Sequence, residues 1–263
     1  MYLQAVYQFY SIIQYLVKNY YMLEPWRTGK VIKIENATAL TRRVWIHVTE
    51  LESFDFKAGQ FVTLDLPIHE QKNKRWRSYS IASAPDGTNV FELVIVLLEG
   101  GLGTNYLFND VTVGSELTLR GPQGKFVLPE PITEDLYFIC TGTGIAPFRA
   151  MVHSLHKQKL PHQALHLIFG CRKFGDGLYI DELKQLEKDE PGFFFHPCYS
   201  REAEVPAGSQ KGYVHPVYEA MTDNGKKPAK FYLCGWKNMI DEAKQRILAM
   251  GYDRKAIHLE LYG

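Results

Sequence analysis

The chain has 263 residues, which at about 150 residues per domain is one large domain or two small ones. Its 30 Lys and Arg against 29 Asp and Glu leave a formal charge of +1, so no global field draws it to nucleic acid or an anionic membrane. With 46% hydrophobic and 22% charged residues, the composition is that of a folded globular protein and excludes a disordered one. Cys140, Cys171, Cys198 and Cys234 are too few for a disulfide framework, and no two form a CxxC pair. They read as reduced thiols of a cytosolic protein. The pattern excludes a zinc ribbon and any iron–sulfur cluster held by cysteines.

Residues 1–24 differ from the rest. The first 21 carry six Tyr, no Gly or Pro, and one charge at Lys18. Leu3, Val6, Phe9, Ile13, Leu16 and Tyr20 recur at three- and four-residue steps, the spacing of an amphipathic helix. Gln4, Gln8, Ser11, Gln14 and Lys18 interrupt it too often for a transmembrane span. Three readings stand: a helix docked on the body or a second subunit, a peripheral membrane contact by residues 1–21, or a leader ending before Met22.

From Gly29 to about Leu128 the pattern has period two. Val44, Ile46 and Val48 alternate with Trp45, His47 and Thr49, and 61–66 and 91–98 are further β-rich runs. Turns at 57–59, 85–87 and 113–115 separate them. Residues 25–130 are therefore expected to form an antiparallel barrel, and the prolines at 129 and 131 mark its end. Over 134–263 the rhythm changes. Apolar runs at 136–140, 165–169, 193–198, 231–234 and 257–261 alternate with helix-like stretches at 148–158, 180–188, 216–221 and 239–250. That alternation predicts an α/β domain with a doubly wound parallel sheet.

Cys140-Thr141-Gly142-Thr143-Gly144-Ile145-Ala146-Pro147 follows a predicted strand and opens a predicted helix. Glycines there allow a tight turn and close backbone approach, and the N–H groups at a helix start attract a pyrophosphate. Pro147 departs from the standard dinucleotide fingerprint. In the barrel half, Arg77-Ser78-Tyr79-Ser80 offers a planar fork for phosphate, a flat ring and a small hydroxyl donor. Two other signals point elsewhere. His153, His156, His162 and His166 resemble a metal cluster, but Pro161 is expected to separate the two pairs, so no metal site is assigned. Lys72, Lys74, Arg75 and Arg77, with Trp76 among them, form either a solvated loop or a docking patch for an acidic electron carrier.

Taken in order, RSYS at 77–80, GLGTNYL at 101–107, GPQGKF at 121–126 and TGTGIAPFR at 141–149 resemble the ferredoxin–NADP reductase family. The resemblance continues through Gly170-Cys171-Arg172, Tyr199-Ser200-Arg201-Glu202, Cys234-Gly235-Trp236-Lys237-Asn238-Met239 and Glu260-Leu261-Tyr262-Gly263. It implies a Greek-key antiparallel β-barrel that binds FAD, followed by an α/β domain that binds NADP(H).

Carried over by residue, the resemblance gives Arg77 and Thr104 to the flavin pyrophosphate and Tyr79 to stacking on the isoalloxazine. Ser80 falls near flavin N5, Cys234 beside the nicotinamide C4, Glu260 behind Ser80, and Tyr262 over the other flavin face. Ser78, the strand residues Val94, Ile95 and Val96, and the loop residues Gly101, Leu102 and Gly103 complete the implied flavin contacts. Val96 stands where many relatives have Lys. On the nucleotide side the resemblance implies Thr141, Gly142, Thr143, Gly144, Pro147, Gly170, Arg172, Gly235 and Trp236. Ser200 and Arg201 with Lys211 and Tyr213 are similar to the set that clasps the adenosine 2′-phosphate.

The implied enzyme moves hydride between NADP(H) and FAD, and single electrons between FAD and a separate ferredoxin- or flavodoxin-like carrier, without an iron–sulfur cluster of its own. An NADH-dependent reductase component of an oxygenase is the near alternative, with Glu202 a candidate for the ribose diol. A non-catalytic flavin-binding electron-relay subunit is the alternative from another class.

Overall fold

A computed structural model describes residues 24–261. The expectations for residues 1–21 and for Tyr262 lie outside the described residues. Among the described residues, no helix is long and apolar enough to cross a membrane.

The first half forms six antiparallel strands: β1 (Trp26–Thr38), β2 (Thr41–Val48), β3 (Phe61–Asp65), β4 (Trp76–Ser80), β5 (Val90–Val96) and β6 (Glu116–Gln123). Their order in the sheet is β4-β3-β6-β1-β2-β5. An isolated antiparallel bridge between Ile81 and Leu93 brings the chain after β4 back against β5 and closes the sheet into a barrel. The alternation is realised: Val44, Ile46 and Val48 point inward and are buried, together with Val31, Val62, Leu64, Leu93 and Leu119. One element departs from the period-two expectation. Leu102–Asn109 is a helix, α1, that buries Leu107 against the barrel core. Its eight residues are too short for an apolar stripe to stand out against the surrounding strands.

The second half forms strands β7 (Asp135–Thr141), β8 (Leu165–Cys171), β9 (Phe193–Tyr199), β10 (Gln210–Lys211), β11 (Ala229–Gly235) and β12 (Ile257–Leu261). They make one parallel sheet in the order β10-β9-β8-β7-β11-β12. Helices α2 (Ala146–Gln158), α3 (Ile180–Asp189), α4 (His215–Met221) and α5 (Lys237–Ala249) connect them. β7 shows why its sequence is an unbroken apolar run. Leu136, Phe138 and Cys140 enter the core on one face of the sheet, while Tyr137 and Ile139 enter the core on the other. The two-residue β10 has no apolar signal of its own, and only its pairing with Cys198 and Tyr199 reveals it.

The halves share an apolar contact. Phe126, just after β6, packs at 5.7 Å from Phe148 of α2 and 5.4 Å from Tyr232 of β11. Burial of such a ring contributes about 1.5–3 kcal/mol. The contact holds the barrel against the sheet.

Candidate functional site

The parallel sheet has its switch point between β7 and β11. From β7 the chain runs outward through β8 and β9, then returns to β11 on the other side. Open α/β sheets bind ligands in the crevice at the carboxyl ends of such strands. Here Gly142 adopts φ +55°, a left-handed turn that a side chain would strain. A Cβ on Gly144 would lie 2.3 Å from the Cys234 carbonyl oxygen, so the turn rests directly on the end of β11. Pro147 sits in the first turn of α2, where its missing N–H is harmless. Cys234 is fully buried, in register with Cys140 on one side and Glu260 on the other.

From the barrel, β4 carries Arg77, Ser78, Tyr79 and Ser80 toward that crevice. The Arg77 guanidinium donates from Nη1 to the Trp76 and Lys74 carbonyls at 2.8 and 3.0 Å, and its stem packs against Gly103. Thr104 fixes the loop before α1: its hydroxyl donates to Gly101 O at 3.2 Å and accepts the Leu98 N–H at 3.1 Å. Burial pushes the Tyr79 phenol up to about 12, against the pull of the Arg77 cation. Ser80 is 3% exposed, and its hydroxyl donates to Glu260 Oε1 across the domain boundary. Burial raises the Glu260 carboxyl above the ordinary glutamate range, with the Ser80 hydrogen bond pulling the other way.

These groups line one cavity of about 810 Å³ between the halves, within the range of about 300–1,000 Å³ that ligand sites occupy. Arg77, Ser78, Tyr79, Ser80, Val94, Val96, Gly101, Leu102, Gly103 and Thr104 reach it from the barrel, and Thr141, Thr143, Gly235, Trp236 and Glu260 from the sheet. Ile95 does not: it is 2% exposed and points into the barrel core, as the alternation along β5 demands, and Gly142, Gly144, Pro147 and the fully buried Cys234 lie beside the crevice without lining the cavity. Phe61, Trp76, Leu98 and Leu261 also line the cavity, and sequence reasoning missed them. Phe61 is the strand partner of Ser80, a neighbour that only the β3–β4 register discloses.

A second set lies away from the cavity, at the carboxyl ends of β8, β9 and β10. The Arg201 N–H donates to Arg172 O at 2.9 Å, while the Arg201 side chain is exposed. Ser200 Oγ lies 3.4 Å from Cys171 O, and Gly170 is in register with both Thr141 and Cys198. Lys211 Nζ donates to Ala203 O at 2.9 Å, and the Tyr213 ring is 74% exposed. Glu202 is engaged elsewhere: its Oε1 accepts the Phe174 N–H at 2.8 Å.

The basic run is smaller than its sequence implies. Arg75 pairs with Asp65 at 2.7 Å and Arg77 turns into the cavity, leaving Lys72 and Lys74 exposed. The histidine pattern needs a correction. Pro161 does not keep the pairs apart, because α2 already ends at Gln158 and the left-handed Lys159 turns the chain back. His156 and His162 consequently meet on Glu190, at 2.6 and 3.1 Å. Among the described residues, no group of three or more His, Cys, Asp or Glu is arranged to hold a metal ion.

Comparison with known proteins bears on this arrangement. Residues 28–128 match the model of the oxidoreductase FAD-binding domain, and residues 138–245 that of the oxidoreductase NAD-binding domain. Ferredoxin–NADP reductase B of Sorangium cellulosum is 31% identical over 241 residues, covering 89% of this chain and 96% of that protein. The toluate 1,2-dioxygenase electron transfer component of Pseudomonas putida is 33% identical over 217 residues, covering 82% of this chain. The chain spans 62% of that component's length. A ferredoxin NADP+ reductase from Neisseria gonorrhoeae, solved with bound FAD and NADP, superposes with a TM-score of 0.74 at 26% identity, covering 90% of this chain and 99% of that one. The barrel, the parallel sheet and the motif series between them place the chain in the ferredoxin–NADP reductase family, flavoenzyme oxidoreductases with an FAD-binding and an NAD-binding domain.

Proposed function

We propose that the cavity holds FAD and that NADPH enters from the switch point, so that hydride crosses between them and electrons leave to a separate ferredoxin- or flavodoxin-like carrier. The observation that carries this reading is the Ser80–Glu260 hydrogen bond, which joins barrel and sheet inside the cavity that Arg77 and Thr104 also line. The donor set fits the group. A guanidinium and an adjacent helix start suit a pyrophosphate, and the flat Tyr79 ring suits an isoalloxazine. Bound FAD supplies a hydride acceptor that can release electrons singly.

The chain's own residues do the rest. Arg77, with Ser78 and Thr104, would anchor phosphate, and the half-buried Tyr79 would present a rigid face. Ser80, held by Glu260, would keep a hydroxyl aimed at the reacting edge, and Cys234 would limit how the nicotinamide approaches. The turn at 141–144 would take the coenzyme pyrophosphate on its backbone N–H groups. Trp236, 57% exposed beside it, would shield the site from water.

NADP(H) is favoured over NAD(H) because Arg201 has an uncommitted guanidinium and Glu202 is held by the Phe174 backbone. An NADH-dependent oxygenase reductase is the second reading, favoured by the toluate component's similarity. Lys72 and Lys74, exposed in the segment just before the cavity-lining Trp76, would meet an acidic carrier, and four thiols without a disulfide suit the cytosol.

The purified protein is expected to carry flavin near one per chain, and to reduce a soluble dye faster with NADPH than with NADH. Stoichiometric iron with acid-labile sulfide would overturn the assignment of a cluster-free reductase, and faster turnover with NADH would put the oxygenase-type reading ahead.

A further inference from the structure

A buried ionic assembly joins the two domains at a point the hydride-transfer residues do not use. Its centre is Glu92 of β5, 2% exposed, a lone carboxylate in an otherwise apolar strand. Its oxygens accept from Arg43 Nε and Nη2 at 2.5 and 3.1 Å, from Arg149 Nη1 at 3.0 Å and from the Tyr179 hydroxyl at 2.6 Å. Arg43 belongs to the barrel, whereas Arg149 lies in the first turn of α2 and Tyr179 immediately before α3. Both guanidinium groups lie over the Tyr179 ring, Arg43 at 4.8 Å and Arg149 at 4.3 Å from its centre. Its backbone is left-handed, φ +56°, a conformation bulky residues rarely adopt.

Arg149 has further grips. Nη1 also donates to Ala82 O at 2.8 Å, and Nε and Nη2 hold Glu182 bidentately at 2.6 and 3.0 Å. What it reaches matters more than how tightly. Ala82 lies two residues past Ser80, and Glu92 two residues before Val94, which lines the cavity. At its other end, Arg149 follows the 142–145 turn by only four residues. The same side chain therefore touches the segment carrying Ser80, the strand lining the cavity, and the helix whose start faces the crevice. Arg43 and Arg149 meet the Glu92 and Glu182 carboxylates, with Glu35 3.7 Å from Arg43 and His153 on Glu182, so each charge has a partner where an unpaired one would be unfavourable.

We propose that Arg149 is a positioning residue: with Glu92 and Tyr179 it forms an interdomain latch that sets the distance between the nucleotide turn and the Ser80 edge, and hence the rate of hydride transfer. This rests on the reading of the cavity as a flavin site. None of Glu92, Arg149 and Tyr179 lines the cavity, so loss of the latch alters reaction geometry while leaving the lining residues in place. A displacement of about 1 Å between reacting atoms lowers a rate about a hundredfold.

The test is anaerobic rapid mixing of the purified flavoprotein with NADPH, following the loss of flavin colour over a range of NADPH concentrations. Arg149→Lys keeps the charge but offers one ammonium to three separated acceptors. It is expected to lower the limiting rate about 10- to 100-fold, with flavin content and half-saturating NADPH concentration unchanged. Arg149→Met is expected to be slower still, and Tyr179→Phe, which removes one hydroxyl and leaves both ion pairs, to show a smaller fall of the same kind. Tyr179→Phe keeps the test decisive if Arg149→Met does not fold. Wild-type limiting rates in both Arg149→Lys and Tyr179→Phe would overturn the latch while leaving the flavin reading intact. A wild-type protein whose colour neither NADPH nor NADH removes would overturn the flavin reading, and the latch with it.

Discussion

Cys234→Ala and Glu260→Gln are each expected to slow reduction of the bound flavin by about a hundredfold, while flavin content and fold are retained. Both residues are next to last in neighbouring parallel strands and paired in register, so they lie at the same level at the carboxyl edge of the sheet. Neither belongs to the barrel segments that carry Arg77 and Thr104, the residues proposed to hold the pyrophosphate. Cys234→Ala removes a fully buried sulfur at the position on which the Gly144 turn rests, so the surface that would meet the nicotinamide loses its support.

Glu260→Gln keeps the shape and an acceptor for Ser80 but removes the charge. That charge is unfavourable in the folded state, because burial raises the Glu260 carboxyl above its ordinary value. The sign follows. The folded protein binds this proton more tightly than the unfolded chain does, so Glu260 favours folding below its ordinary pKa and loses that contribution as pH rises through the raised one. At neutral pH Glu260→Gln should therefore be slower yet melt at a higher temperature, a trade common at functional sites. Its rate should also lack the acid limb that protonation of Glu260 gives the wild type, which begins above the ordinary glutamate value. Unaltered single-turnover rates in both variants would remove these two residues from hydride transfer.

Arg201→Ala is expected to weaken NADPH roughly 10- to 100-fold and to leave NADH nearly unaffected, since hydrogen bonds to charged groups contribute about 1.5–3 kcal/mol and about 1.4 kcal/mol is tenfold. The 2′-phosphate brings charge that NADH lacks, and the exposed Arg201 guanidinium is available to meet it. Lys211→Ala should act in the same direction but less. Its ammonium already donates to Ala203 O, and a flexible point charge recognises phosphate less specifically than a planar fork. Titration of each variant with both coenzymes measures the difference. Equal losses for NADPH and NADH would assign Arg201 to the fold or to the shared ribose.

Much of this architecture was readable from patterns that burial imposes directly. Val44, Ile46 and Val48 alternate because one face of β2 is buried, and the run 136–140 is unbroken because both faces of β7 are. The turn at 141–147 was legible because tight turns and helix starts demand particular residues. What escaped depends on contacts between distant segments. Phe61 enters the cavity through its register with Ser80, and Leu261 through a strand end on the far side of the sheet. His156 and His162 share Glu190 because of a turn that a prediction based on Pro161 placed too late. Glu92 left a trace, a single acid inside Phe91–Val96. Its partners Arg43, Arg149 and Tyr179 come from three other elements, and no local spacing links them.

We propose that a nicotinamide bound at the switch point delivers hydride to FAD held in the cavity that Ser80 and Glu260 line, with Cys234 buried in register beside Glu260. Anaerobic titration of the purified yellow protein with NADPH tests it most directly. About one equivalent per bound flavin is expected to remove the colour, and added NADP+ is expected to leave the flavin on the protein. A purified protein that holds no flavin, or a bound flavin that stays yellow with excess NADPH and with excess NADH, would contradict it.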